Sequence, residues 1–133
     1  MTDEINPPAF TARYVNLASA SLGALATSAS DEFFAAKERI LQDAEPVFHP
    51  AQYDANGKWM DGWESRRRRH GGHDHCVIRL AHAGHIHGVE IDTSYFTGNY
   101  PPEFSLEGML CGDSEPDEGN WQTIVEKCAI AGD

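Results

Sequence analysis

The chain has 133 residues, 41% of them apolar, and three tryptophans, a composition that suits one folded domain with a modest core and excludes a disordered chain. Its formal net charge of -11 and pI near 4.9 speak against a general nucleic-acid or anionic-membrane surface. No stretch reaches the apolar length of a membrane span, and Met1-Thr2-Asp3-Glu4 lacks the basic start and apolar run of a secretory signal. Three cysteines, Cys76, Cys111 and Cys128, form no Cys-x-x-Cys pair, which points to a reduced, cytoplasmic compartment rather than a disulfide scaffold or a zinc ribbon.

In chain order, residues 1–13 read as a flexible lead-in, with Pro7-Pro8 opposing regular structure, and 14–133 as one domain. Phe10 to Leu25 predicts an irregular, partly buried edge, and Gly23 to Ser30 a short strand of small residues. Ser30 or Asp31 suits an N-cap, so a short helix is expected from about Glu32 to Leu41. Asp54-Ala55-Asn56-Gly57 predicts a turn, because Asn-Gly tolerates positive φ. Further on, Cys76 to Leu80, Ile86 to Thr93, Phe104 to Leu110 and Trp121 to Cys128 read as strands. Val89 and Ile91 share one face of the second, Glu90 and Asp92 the other; Phe104 and Leu106 point inward in the third. Tyr95 to Pro102 and Ser114 to Asn120 read as loops. Short strands after one short helix predict an all-β, antiparallel β-sandwich of jelly-roll type, although so few strands hardly close two sheets.

The densest chemistry lies in Gly57 to Arg69, which holds two tryptophans, two carboxylates and four arginines. Gly57 and Gly62 oppose a helix there, each costing about 1 kcal/mol against alanine. A structured loop braced by Trp59 and Trp63 and presenting Asp61, Glu64 and arginines is expected. An arginine fork can bond both oxygens of a carboxylate, and a nearby carboxylate can do acid–base work. A run such as Arg66 to Arg69 is, taken alone, more often a solvated face. Asp92 stands where a strand hands over to a loop, which suits a site residue or an Asx-turn cap. His73 with His75, and His85 with His87, form His-x-His pairs that could chelate a metal if a third ligand joined them; otherwise they are surface histidines. Cys76 reads as a structural thiol.

Two stretches, Gly57-Lys58-Trp59-Met60-Asp61-Gly62-Trp63-Glu64-Ser65-Arg66-Arg67 and Gly88-Val89-Glu90-Ile91-Asp92-Thr93-Ser94-Tyr95-Phe96-Thr97-Gly98-Asn99-Tyr100, resemble the allantoicase family. Asn16-Leu17-Ala18-Ser19, Asp31-Glu32-Phe33-Phe34-Ala35 and Gly72-His73-Asp74 support the likeness, which runs from about Tyr14 to Cys128. The resemblance implies a galactose-binding-like jelly roll and hydrolysis of allantoate to ureidoglycolate and urea in purine catabolism. The family's chains carry two such repeats. This sequence resembles the first, so its last strands and the second repeat are expected to be missing.

Allantoate carries one carboxylate and two urea arms. The resemblance marks these positions without assigning their roles; the chemistry suggests that Glu64 and Asp92 share the acid–base roles and Asp61 orients, while Arg66 or Arg67 holds the carboxylate and Thr93 and Asn99 complete the binding groups. The loop and the strand end are expected to meet around this anion. No cofactor and no metal ligand are assigned. The expected partners are the small substrate, a second repeat or further copies of the chain, with neither nucleic acid nor membrane. Two other readings stay open at this point: a noncatalytic module binding small ligands or carbohydrate, and a metal-dependent hydrolase using the histidine pairs.

Overall fold

The structure, a computed structural model, describes residues 8–112, 116 and 120–132. The acidic loop expected over Ser114 to Asn120 lies mostly outside the described residues, as does the lead-in before Pro8. The chain divides into two compact units, one running to Ile91 and one from Asp92 onward. Among the described residues strands dominate, helix is confined to short 3-10 turns, and every ladder is antiparallel. Among the described residues, no helix is long and apolar enough to cross a membrane.

In the first unit, β1 (Leu25–Ala29) pairs with β4 (Cys76–Arg79). Both fall within the segments that the small-residue and alternating patterns predict. The register runs from Leu25 opposite Arg79 to Ala29 opposite Cys76, and it slips between Ala26 and Ser28. The residue left over is Thr27, whose hydroxyl donates to the Val77 carbonyl at 3.3 Å. An extra residue of this kind bends the strand and increases its twist. Past the ladder, the Ser30 N–H donates to the His75 carbonyl and the His75 N–H to Ser30 Oγ, both at 2.9 Å.

The expected turn after Asp54 is present. β2 (Tyr53–Asp54) and β3 (Gly57–Lys58) form a hairpin around Ala55 and Asn56. The anticipated reason is not the operative one, because neither Asn56 nor Gly57 takes positive φ. Gly57 instead admits the Phe34 ring, which would lie 3.3 Å from a Cβ at that position.

The helix expected from Glu32 to Leu41 does not form. Only Lys37–Leu41 is helical, as a 3-10 turn that buries Leu41. Asp31 Oδ1 does accept the Phe33 N–H at 3.0 Å, as a cap would. The next amides are diverted, however: Phe34 and Ala35 both donate to the Glu64 carbonyl, and the Glu64 N–H returns to Ala35. An isolated antiparallel bridge between Ala35 and Glu64 thus takes the bonds that would have started the helix. With Leu41, the buried apolar residues of this unit are Ala24, Ala35 and Met60.

Phe10 to Leu25 is irregular, as expected, with 3-10 turns at Ala9–Ala12 and Ala20–Leu22. It is tied down at several points. The Ala81 N–H donates to the Leu17 carbonyl at 2.9 Å, and Tyr14 stacks on His87 with ring centroids 4.1 Å apart. Ser19 is buried and makes a very short hydrogen bond to Asp43, whose other oxygen accepts the Ser21 N–H at 3.1 Å. These contacts hold the Asp43 carboxyl below its ordinary range, the Ser19 hydroxyl most of all.

The strand expected from Ile86 to Thr93 is absent among the described residues. Alternation defines two faces, but a strand also needs a partner for its amides, and no described segment pairs with this one. Ile86 and Ile91 remain 41% and 42% exposed.

In the second unit, β5 (Glu103–Gly108) pairs with β6 (Gln122–Ala129). Phe104 and Leu106 are half-buried between exposed neighbours, matching the alternation. Their partners are Cys128 and Val125, across two register slips. Tyr95 to Pro102 is a loop, with Tyr95 at a φ of 69° and Phe96 buried.

Candidate functional site

The loop after β3 is fixed by its tryptophans. The Trp59 backbone N–H donates to the Gln52 carbonyl at 3.0 Å, and the Arg39 guanidinium lies 5.7 Å from the Trp59 ring. Arg39 Nη1 also donates to Asp54 Oδ2 at 2.9 Å and to the Met60 carbonyl at 3.0 Å. Trp63 Nε1 donates to the Asp31 carbonyl at 2.8 Å. A tryptophan buried at one end and bonded at the other fixes both position and rotation of the loop.

Of the expected acids, Asp61 Oδ2 accepts the Val47 N–H at 2.8 Å, which ties the loop to the stretch before the hairpin. Glu64 is half-buried and held by its own backbone in the bridge to Ala35. Arg66 is drawn to Asp31: its Nε and Nη2 lie 2.8 and 2.7 Å from Oδ2, and its backbone N–H donates to Oδ1 at 3.0 Å. The same guanidinium sits 5.0 Å from the Phe33 ring centroid. The Phe33 N–H lowers the Asp31 pKa most; the Arg66 amide and guanidinium add to this, and burial only partly opposes it. Arg68 Nη2 pairs with Asp74 Oδ1 at 2.9 Å, while Ser30 and Ser65 hydroxyls also donate to Asp74. Burial raises the Asp74 pKa, but the Ser30 and Arg68 bonds outweigh it and the net shift is downward. Arg67 is exposed and pairs with no carboxylate among the described residues.

In the second unit, Asp92 Oδ1 accepts the Ser94 N–H at 2.8 Å and the Ser94 hydroxyl at 2.5 Å. This is the Asx-turn geometry that the sequence left open for Asp92. Thr93 Oγ1 donates to the Ala131 carbonyl at 2.9 Å, and Asn99 is exposed in the following loop.

Residues 15–133 match a family described as the allantoicase repeat. The chain belongs to the allantoicase family. It is 55% identical over 128 residues to probable allantoicase 2 of Burkholderia mallei, covering 96% of this chain and 38% of that protein. It is 53% identical to the probable allantoicase of Ralstonia nicotianae, with the same coverage of 96% and 38%. Among solved structures it resembles the allantoicase of Saccharomyces cerevisiae at a TM-score of 0.75 and 34% identity, over 89% of this chain and 36% of that one. This allantoicase-family chain therefore spans well under half the length of the relatives it matches.

The histidine pairs behave differently from one another in the allantoicase-family chain. His73 and His75 lie edge to face with centroids 6.3 Å apart, whereas His87 is taken up by Tyr14. Among the described residues, no three histidine, cysteine or acidic side chains converge as a metal site would require. None of the three cysteines is in a disulfide, and burial pushes the Cys76 pKa up. A surface hollow of about 360 Å³ in the second unit is lined by Met109, Leu110, Asn120 and Gln122, none of them an expected site residue.

Two residues that organise the loop were not singled out by the sequence as site residues. Asp31 read as a helix cap and Asp74 only as part of a supporting motif. A charge argument could have pointed to them: in a chain of net charge -11, a run of four arginines draws acidic partners for some of its members, here Arg66 and Arg68.

Proposed function

We propose that the chain forms part of an enzyme that hydrolyses allantoate to ureidoglycolate and urea. The observation that carries this reading is the family match across residues 15–133, which includes the tryptophan-braced loop with its acids and arginines. In the reaction, the bond from the central carbon to one urea nitrogen breaks and a water oxygen bonds to that carbon. One water proton is removed by a base, and one proton is delivered to the departing nitrogen.

We assign the acid and base roles to Glu64 and Asp92, and to Asp61 the orientation of a urea arm. Arginine suits the substrate carboxylate because its donors are spaced like the two oxygens; one of Arg66 and Arg67 takes that role, with Thr93 and Asn99 bonding the ureido groups. On this reading the fold is an antiparallel jelly-roll sandwich of galactose-binding type, working in the cytoplasm against a second repeat or further copies of the chain. The antiparallel ladders and the likeness to the yeast structure support it.

Urea release from allantoate by the purified chain, beside calorimetry with allantoate and simple sugars, tests the proposal. Binding of allantoate with measurable urea release supports it. Binding of sugars alone points instead to a noncatalytic module.

A further inference from the structure

The arginine run is held by two consecutive residues at the end of β1. Asp31 takes the Arg66 amide and guanidinium. Ser30 holds the far side: its hydroxyl donates to Asp74 at 2.8 Å and accepts the His75 N–H at 2.9 Å, and Asp74 in turn takes Arg68. The segment from Arg66 to Asp74 is thus fastened at both ends to Ser30-Asp31.

The pattern alternates. Arg66 and Arg68 are committed to carboxylates whose side chains are 15% and 20% exposed. Arg67 and Arg69 are exposed and unpaired among the described residues. Two of four positive charges are thereby neutralised and fixed in place, and two are left to face outward. A free guanidinium beside anchored neighbours loses less freedom when it captures an anion, which is the advantage of preorganisation.

We propose that Asp31 and Asp74 are positioning residues that present Arg67, rather than Arg66, as the guanidinium for a small carboxylate. Under the allantoate reading, on which this assignment rests, that carboxylate is the substrate's own. Asp31 and Asp74 touch no substrate; they act through Arg66 and Arg68.

The test is arginine labelling of the full chain with phenylglyoxal, read peptide by peptide by mass spectrometry, without ligand and with allantoate or oxalate present. Arg67 and Arg69 are expected to react several-fold faster than Arg66 and Arg68, and allantoate is expected to slow labelling of Arg67. Arg66 keeps an open face, its side chain being 63% exposed, so its labelling is slowed and not abolished. Asp31→Asn should raise Arg66 labelling selectively and weaken allantoate binding by about tenfold, a change that loss of one charge-assisted bond can produce. Arg67→Ala should abolish allantoate binding, and Arg67→Lys should restore it only in part. The lysine variant and the ligand-free labelling pattern keep the test decisive even where Asp31→Asn lowers stability.

Equal labelling at all four arginines, or protection of Arg66 in place of Arg67, overturns the inference. Protection of Arg67 by oxalate but not by allantoate keeps Arg67 as a carboxylate site and rejects the allantoate reading. Protection by neither anion rejects the Arg67 assignment itself.

Discussion

The indole N–H of Trp63 donates to the main-chain carbonyl of Asp31 at 2.8 Å, while the Asp31 carboxylate takes the Arg66 guanidinium. One residue therefore anchors the arginine loop through its backbone and through its side chain. Trp63→Phe removes the donor and, with the pyrrole ring, some of the packing. It is expected to cost about 1–2 kcal/mol, the range for leaving a partly buried carbonyl unpaired. Urea denaturation of both proteins measures this, and an unchanged midpoint would show that water replaces the indole.

The pH dependence of stability draws on Asp31, Asp43 and Asp74, all of whose carboxyls are depressed in the folded chain. A carboxyl with a lowered folded pKa binds its proton more readily when unfolded. Its contribution is complete above the ordinary carboxylate value near ~3.9 and is lost as pH falls through the folded value. The melting temperature should therefore fall on acidification below about pH 4, and Asp74→Asn should flatten that fall. A fall of the same steepness in the variant would remove Asp74 from the account.

Gly88 meets the ring of Phe10 so closely that an added Cβ would lie 2.8 Å from two of its carbons. Gly88→Ala is expected to destabilise the chain by about 1–3 kcal/mol through overpacking. Phe10→Ala should relieve much of that cost, giving a coupling energy of about 1 kcal/mol or more in a double-mutant cycle. Strictly additive costs would mean that the two positions do not meet in solution.

Much of the local structure was legible because it depends on local pattern. The alternation of Phe104 and Leu106 and the small residues of β1 both mark real strands. Where a distant segment competes, local pattern fails. Asp31 does cap Phe33, but Glu64 takes the following amides and the helix is cut to Lys37–Leu41. Ile86 to Thr93 alternates well and finds no partner among the described residues. The same limit hid the partner of Arg66, since Asp31 lies 35 positions away in sequence. The residue types of the loop were readable; which arginine is spoken for depends on contacts that periodicity does not encode.

The central claim is that the acids of this chain act in allantoate hydrolysis. Its most direct test is steady-state urea release by a two-repeat homologue carrying Glu64→Gln or Asp92→Asn at the matching positions, with folding checked by circular dichroism. Loss of a general acid or base predicts a fall in kcat of about 10²–10⁴-fold with the melting temperature nearly unchanged. Near-normal turnover in both folded variants would contradict the assignment.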